Sequence, residues 1–234
     1  MKILAIDSSG LVASAAVVED DKVLAEFNVN NKKNHSTTLL PMIDMLKNTL
    51  ELELESLDAV AVSNGPGSFT GLRIGSATAK GIALALDKPI VEISSLEAMA
   101  FQLFGTEKLI CPIMDARRNQ VYAGAYKFDG CELKNIIPDC AEDIAELAKQ
   151  LNDIGESVIF LGDGVPVFGD YLKEEIRSGC EFALGFQNRQ RAAALGILAV
   201  KYANEGKVVS SKMHRPRYLR LSQAERERLE RANA

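Results

Sequence analysis

Apolar residues come in short alternating or continuous runs through the first thirty positions, and those runs set the first elements. Lys2–Asp7 (KILAID) is an apolar block ending on an acid, Ala13–Glu19 alternates, and Asp20-Asp21 turns the chain into a third run near Val23–Val29. Runs of this length, bounded by Ser-Ser-Gly and Asp-Asp, predict a three-strand meander. The period then lengthens. Leu39, Ile43, Leu46 and Leu50 recur at the spacing of one helix face, with Ser36, Thr37 or Thr38 as the expected N-cap and Pro41 in the first turn. A strand at Ala59–Ser63, a glycine-rich turn, a helix over 70–86, a strand at Pro89–Ile93 and a helix over 95–104 complete a βββαβαβα unit.

The same order returns from Leu109. Leu109–Asp115 is again an apolar block ending on aspartate, Gln120–Phe128 alternates, and Asp129-Gly130 turns into a run near Glu132–Ile136. Helices over 141–151, 167–176 and 189–202 then alternate with apolar runs at Ser157–Leu161 and Glu181–Leu184, and Gly162-Asp163-Gly164 forms a turn between them. The two strand-ending acids, Asp7 and Asp115, lie 108 residues apart. A repeated element order predicts a duplicated α/β fold of two lobes, each a mixed sheet covered by helices. On this reading residues 1–104 are the first lobe, 105–206 the second, and 207–234 a basic segment returning to the first.

This architecture resembles that of actin, the sugar kinases and the heat-shock chaperone ATPases (the ASKHA fold). In that superfamily ATP lies between the lobes and the turn after each first strand wraps its phosphates, which makes Asp7, Ser8 and Ser9 candidate cofactor-binding residues. Such a turn needs glycine, so that backbone N–H groups can come close to the phosphates. The second turn, Asp115-Ala116-Arg117-Arg118-Asn119, has none and carries two bulky cations. Asp7 and Asp115 are therefore read first as turn caps or partners of arginine, and no nucleotide is expected to bind this chain alone.

Ser63–Gly75 (SNGPGSFTGLRIG) sits where a strand turns into a helix and has the look of a phosphate loop. It fails both glycine templates: counted from Gly65 the sixth position is Thr70, with no lysine near it, and Gly65-x-Gly67-x-x reaches the same Thr70 where a third glycine is needed. What remains is a rigid turn with Ser68 or Thr70 as helix cap. In the helix that follows, Gly71, Gly75, Ala79 and Ala83 recur every four residues and form a row of small side chains. Glycine costs about 1 kcal/mol against alanine inside a helix, so Gly71, Gly75 and Gly81 require a packing reason. Either the row lies on the chain's own sheet or it receives another subunit.

Composition narrows the partners. With 47% apolar residues among 234, the chain can bury a large core, and no apolar run approaches the roughly 20 residues of a membrane helix. The first apolar segment is short for a signal peptide, so a cytoplasmic protein is expected. The four cysteines show no CxxC pair and read as reduced thiols. Positions 207–234 hold eight basic and three acidic residues, a net +5, against −10 for the first 206. A body that acidic excludes broad nucleic-acid binding; contact with RNA is local or made through a partner. The mixed-charge stretch Gln223–Arg231 is expected to be a solvated helical end.

Ile3–Ser9, His35-Ser36 with Leu39-Leu40-Pro41, Gly65–Gly75, Asp115-Ala116-Arg117 with Val121-Tyr122, and Pro216–Arg220 together resemble the bacterial TsaB (YeaZ) family. The resemblance implies a non-catalytic relative and partner of the transferase subunit TsaD. With the ATPase subunit TsaE, that complex forms N6-threonylcarbamoyladenosine beside the anticodon of tRNAs reading codons that begin with A. It implies ATP used through partner subunits, tRNA met indirectly, no catalytic or metal residues here, and a homodimer when the chain is alone. The family's dimerisation helices map onto Leu39, Met42, Ile43 and Leu46 of the first helix and Gly71, Gly75, Thr78, Ala79 and Ile82 of the second. The two histidines, His35 and His214, are far apart and form no HxxxH, and no Ser/His/Asp set assembles. The competing reading is an ATP-dependent small-molecule kinase of the same superfamily.

Overall fold

The two repeats build the same sheet twice. In the computed structural model, which describes residues 1–31 and 34–220, strands β1 (Lys2–Asp7), β2 (Ala13–Glu19), β3 (Lys22–Val29), β4 (Ala59–Gly65) and β5 (Ile90–Ser94) are ordered β3-β2-β1-β4-β5. Strands β6 (Leu109–Asp115), β7 (Gln120–Asp129), β8 (Glu132–Asp143), β9 (Val158–Leu161) and β10 (Cys180–Phe182) repeat that order as β8-β7-β6-β9-β10. In each sheet the first three strands pair antiparallel and the crossover strands pair parallel. This is the actin-like, sugar-kinase type of α/β fold.

Helices α1 (His35–Thr49) and α2 (Phe69–Ala85) cover one face of the first sheet, where Leu39, Met42, Ile43, Leu46, Ala79 and Ala83 pack on Leu4, Ile6, Val60 and Val62. Two helices, α4 (Ile144–Ile154) and α5 (Val165–Glu175), do the same for the second sheet through Leu147, Leu151, Phe168 and Leu172. The remaining helices cross over. Helix α3 (Ser95–Phe101), from the first repeat, packs Leu96, Met99 and Ala100 against Ile110, Met114 and Tyr126 of the second sheet. Helix α6 (Ala192–Asn204), from the second repeat, lays Ala192, Leu195, Leu198 and Ala199 on Ile3, Ala5, Ala16 and Val18 of the first. The expected division at 104/105 and 206 therefore needs correcting, because residues 192–204 belong by packing to the first lobe. A helical apolar period shows that a helix has a buried face, not which sheet receives it.

Smaller departures have local causes. The cap of α1 is Asn34, whose side chain accepts from the Ser36 amide at 3.2 Å, so Pro41 stands in the second turn rather than the first. The cap of α2 is Ser68. Strand β8 continues to Asp143, seven residues past its expected end, because its pairing with β7 runs on to Gln120↔Asp143 although its burial pattern does not alternate cleanly. After α6 the chain returns along the first lobe: Val209 bridges Ile90 on the β5 edge, buried His214 pairs with Glu92 at 2.5 Å, and the Arg217 amide donates to the Asn64 carbonyl at 2.7 Å. The stretch expected to be a solvated helix, 223–231, lies outside the described residues.

Candidate functional site: the cleft between the lobes

A cleft of about 1030 Å³ opens between the lobes, with Ser9, Gly10, His35 and Phe69 on one wall and Asp115, Arg117, Tyr122 and Asp163 on the other. Both first-strand turns meet it. On the first wall β1 ends at Asp7, fully buried; its Oδ1 accepts from the Ser9 amide at 2.8 Å and the Ser9 hydroxyl at 2.7 Å, and its Oδ2 is buried without a partner. Burial pushes the Asp7 carboxyl up to about 6, against the lowering effects of the Ser9 bonds and of His35. Ser8 Oγ donates to the Gly71 carbonyl at 2.8 Å, and the Ser68 amide donates to the Ser9 carbonyl at 2.7 Å.

This close approach is what the glycines permit. A Cβ at Gly71 would stand 2.1 Å from the Ser8 carbonyl oxygen, at Gly67 2.3 Å from that of Ser9, and at Gly75 2.5 Å from Ser8 Oγ. The small-residue row thus admits the chain's own first turn to the N-terminal end of α2. That overturns the expectation that the row receives another subunit. Of the nine residues placed at a partner interface, Leu39, Met42, Ile43, Leu46, Gly71, Gly75 and Ala79 are buried within the chain, and only Thr78 and Ile82 reach the surface in part. A four-residue repeat cannot distinguish the inward face from the outward one when both carry small residues. The outward row is Arg73, Ala77, Gly81 and Ala85, displaced by two positions, and a Cβ at Gly81 meets nothing within 4 Å.

The second wall repeats the frame with different contents. A Cβ at Gly162 (φ +108°) would stand 2.1 Å from the Ile113 carbonyl oxygen, so the β9–α5 turn closes on the end of β6 as the β4–α2 turn closes on β1. Asp115, however, is part exposed. Its Oδ1 accepts from the Arg117 amide at 2.8 Å, its Oδ2 lies 3.5 Å from the Arg117 guanidinium, and its amide donates to Asp163 Oδ1 at 3.2 Å. Burial raises the Asp163 carboxyl, opposed by that Asp115 amide and by Arg189. Arg117, Arg118 and Asn119 all adopt left-handed backbone, with φ of 66°, 55° and 62°, a conformation costing about 1–2 kcal/mol per non-glycine residue.

Sequence reasoning missed how the returning chain closes the cleft's edge. Tyr218 stacks on Phe69 with centroids 4.7 Å apart, Arg73 lies 3.9 Å over the other ring's centroid, and its Nε donates to the Tyr218 hydroxyl at 3.3 Å. Arg220 donates to the Ala116 carbonyl across the cleft. Asp139, nearly buried, joins three segments: it accepts from Ser94 at 2.6 Å and from Tyr126, and stands 4.0 Å from Arg217. The motif Pro216–Arg220 was the only signal of this in the sequence.

Four backbone donors at the strand ends, the amides of Ser9, Ser68, Ala116 and Arg117, are engaged within the chain. Among the described residues no three His, Cys, Asp or Glu side chains are grouped to hold a metal, the four cysteines are unpaired, and no helix is long and apolar enough to cross a membrane. His35 Nε2 meets the Gly10 carbonyl at 2.8 Å, while His214 serves the returning chain.

Known proteins share this chain's sequence and fold. Residues 22–228 match the family model described as TsaD, tRNA N6-adenosine threonylcarbamoyltransferase. The chain is 35% identical over 225 residues to the tRNA threonylcarbamoyladenosine biosynthesis protein TsaB of Bacillus subtilis (strain 168), covering 96% of each. A crystal structure from Pseudomonas aeruginosa, described as similar to the peptidase YeaZ, is 26% identical with a TM-score of 0.81 over 94% of this chain and 99% of that one. The fold alone is shared with component A of the (R)-2-hydroxyglutaryl-CoA dehydratase of Acidaminococcus fermentans, 11% identical with a TM-score of 0.50 over 87% and 99% of the two chains.

Proposed function

The chain belongs to the TsaB (YeaZ) family, and from that premise we propose that it is the non-catalytic partner of a TsaD-type subunit in forming N6-threonylcarbamoyladenosine on tRNA. The observation that carries the partner role is the outer face of α1 and α2. Leu40, Met45 and Leu84 are 51–63% exposed there, beside the outward Ala77, Gly81 and Ala85. Apolar side chains flanking a glycine whose added Cβ would meet nothing within 4 Å suit close approach by a second pair of helices. The interface moves from the buried row to this face, with the TsaD-type subunit, or a second copy when the chain is alone, as its occupant.

The filled first turn supports the absence of catalysis by this chain. A nucleotide cradle needs free backbone donors, and here Ser9, Ser68 and Arg117 amides already bond to Asp7, Ser9 and Asp115. ATP then enters through a TsaE-type ATPase subunit, and the modified base is the adenosine beside the anticodon of tRNAs reading codons that begin with A. The setting is the cytoplasm. Titration with Mg-ATP separates this from the small-molecule kinase: micromolar binding by the isolated chain revives the kinase.

Gly75 is buried and cannot serve to test the interface. A side chain there strikes Ser8 and disturbs the fold, so its loss of binding would say nothing. Gly81→Leu has open space. It should raise helix stability by about 0.5–1 kcal/mol while abolishing co-purification with the TsaD-type subunit. Retained association with a stabilised fold would place the interface elsewhere.

A further inference from the structure

We infer that this chain touches RNA directly, with the arginine and tyrosine rim at the mouth of the interlobe cleft holding a single strand. This rests on the tRNA-modifying role proposed above and revises one part of it, the expectation that tRNA is met only through partners. Arg117 lines the cleft, Arg73 and Arg220 touch its lining residues Phe69 and Ala116, and Arg118 and Arg217 adjoin Arg117 and Tyr218 in the chain; among the described residues no lysine lines it. Their placement is asymmetric by charge. The Arg117 side chain is 86% exposed and that of Arg217 54%, whereas that of Asp115 is 21% and that of Asp139 5% exposed. The two cations are more exposed than the acids beside them: Asp139 behind Arg217 is buried, and Asp115 beside Arg117 is half-buried. A chain carrying −10 over its first 206 residues has thus concentrated outward positive charge at one opening.

Two further features favour a nucleic-acid strand over an acidic protein. Arginine offers a planar fork that meets phosphate through two donors and stacks on rings, which lysine does not. Tyr218, 40% exposed, is braced from behind by Phe69 and by the Arg73 bond to its hydroxyl, so it presents a held aromatic surface beside those cations. Cationic groups interleaved with a braced ring form the arrangement that takes single-stranded RNA, phosphates on the arginines and a base on the ring. The left-handed turn at Arg117–Asn119 is what directs two of those arginines outward from the end of β6.

The test uses the full-length chain and a fluorescein-labelled 12-nucleotide oligouridylate, followed by anisotropy between 50 and 200 mM KCl. Binding should weaken with salt along a log–log slope of about −2 or steeper, each lost arginine contact reducing it by about 0.7. Arg117→Ala/Arg118→Ala should lower the slope by about 1.4, and Tyr218→Ala should weaken binding about tenfold, with Tyr218→Phe largely restoring it. Absence of binding at 50 mM salt overturns the inference, as does displacement of the RNA by polyglutamate at equal charge concentration, or by duplex as readily as by single strand. The exposed pair at 117 and 118 keeps the result interpretable should the Tyr218 variant release the returning chain. Co-purification of the Arg117→Ala/Arg118→Ala chain with the TsaD-type subunit is measured in parallel. Partnering retained with RNA lost supports the rim, and RNA retained with partnering lost by Gly81→Leu leaves the rim intact.

Discussion

The turn after β1 and the turn after β6 begin from the same place and end as opposites. Each follows a central strand ending in aspartate, and each is met by a glycine turn that opens a helix. In the first lobe Asp7 is sealed, Ser8 and Ser9 are drawn under the end of α2, and the turn disappears into the packing. In the second lobe Asp115 remains part exposed and the turn stands out in left-handed backbone with its arginines in solvent. Duplication preserved the frame, and the chemistry diverged within four residues of one strand end. The two strand-end turns of this chain are thus one buried plug and one exposed surface.

The most severe way to break this comparison is to put a side chain where the plug enters. Gly71→Ala places a Cβ 2.1 Å from the backbone oxygen of Ser8 and should destabilise the chain by about 3 kcal/mol or more, measured by urea unfolding. Gly164→Ala in the second lobe, where a Cβ would stand 3.1 Å from both the Ile113 side chain and its backbone oxygen, should cost less, about 1–2 kcal/mol. Equal costs would mean that Gly164 is as crowded as Gly71.

Asp7 gives the next largest effect. Its carboxyl is raised from 3.8 to about 6, so between those values the folded chain holds a proton that the unfolded chain has lost. Asp7 therefore contributes stability below about pH 3.8, and that contribution is lost as pH rises through about 6, a change of about 3 kcal/mol at most. Asp7→Asn should remove this slope from stability measured across pH 4–7. Asp115→Asn, at a part-exposed ion pair, should shift stability by under about 1 kcal/mol. An unchanged slope in the Asp7→Asn chain would show that the first acid is not sealed.

The smallest effect sharpens the other side. Arg118→Gly relieves left-handed backbone and should raise the unfolding midpoint by the equivalent of about 0.5–1 kcal/mol, net of glycine's greater unfolded freedom. The same substitution should weaken oligouridylate binding. A gain in stability without loss of RNA would separate the turn's conformation from its use.

Element order was legible in the sequence because period and turn residues are local signals: the meanders, the crossover helices and both strand-ending acids were found from them. Three things were not. The destination of α6 depends on which sheet face is left open, and Ala192–Asn204 carries no mark of it. The direction of the glycine row depends on the turn of Ser8 and Ser9 against it, 63 residues away in sequence for the Ser8–Gly71 bond. The left-handed turn at Arg117–Asn119 lacks the glycine that advertises such backbone, so its residues read as an obstruction to phosphate rather than as a display of cations.

The exchange of α3 and α6 has a consequence for how such a chain can be divided. Each repeat carries every strand of its own sheet yet sends its last helix to roof the other, so a cut between residues 104 and 109 would leave each fragment with a bare sheet face and an orphan helix. Neither half is a unit that folds and then docks. Separately expressed halves should be insoluble alone and recover on mixing, because the missing piece of each is already made by its sibling.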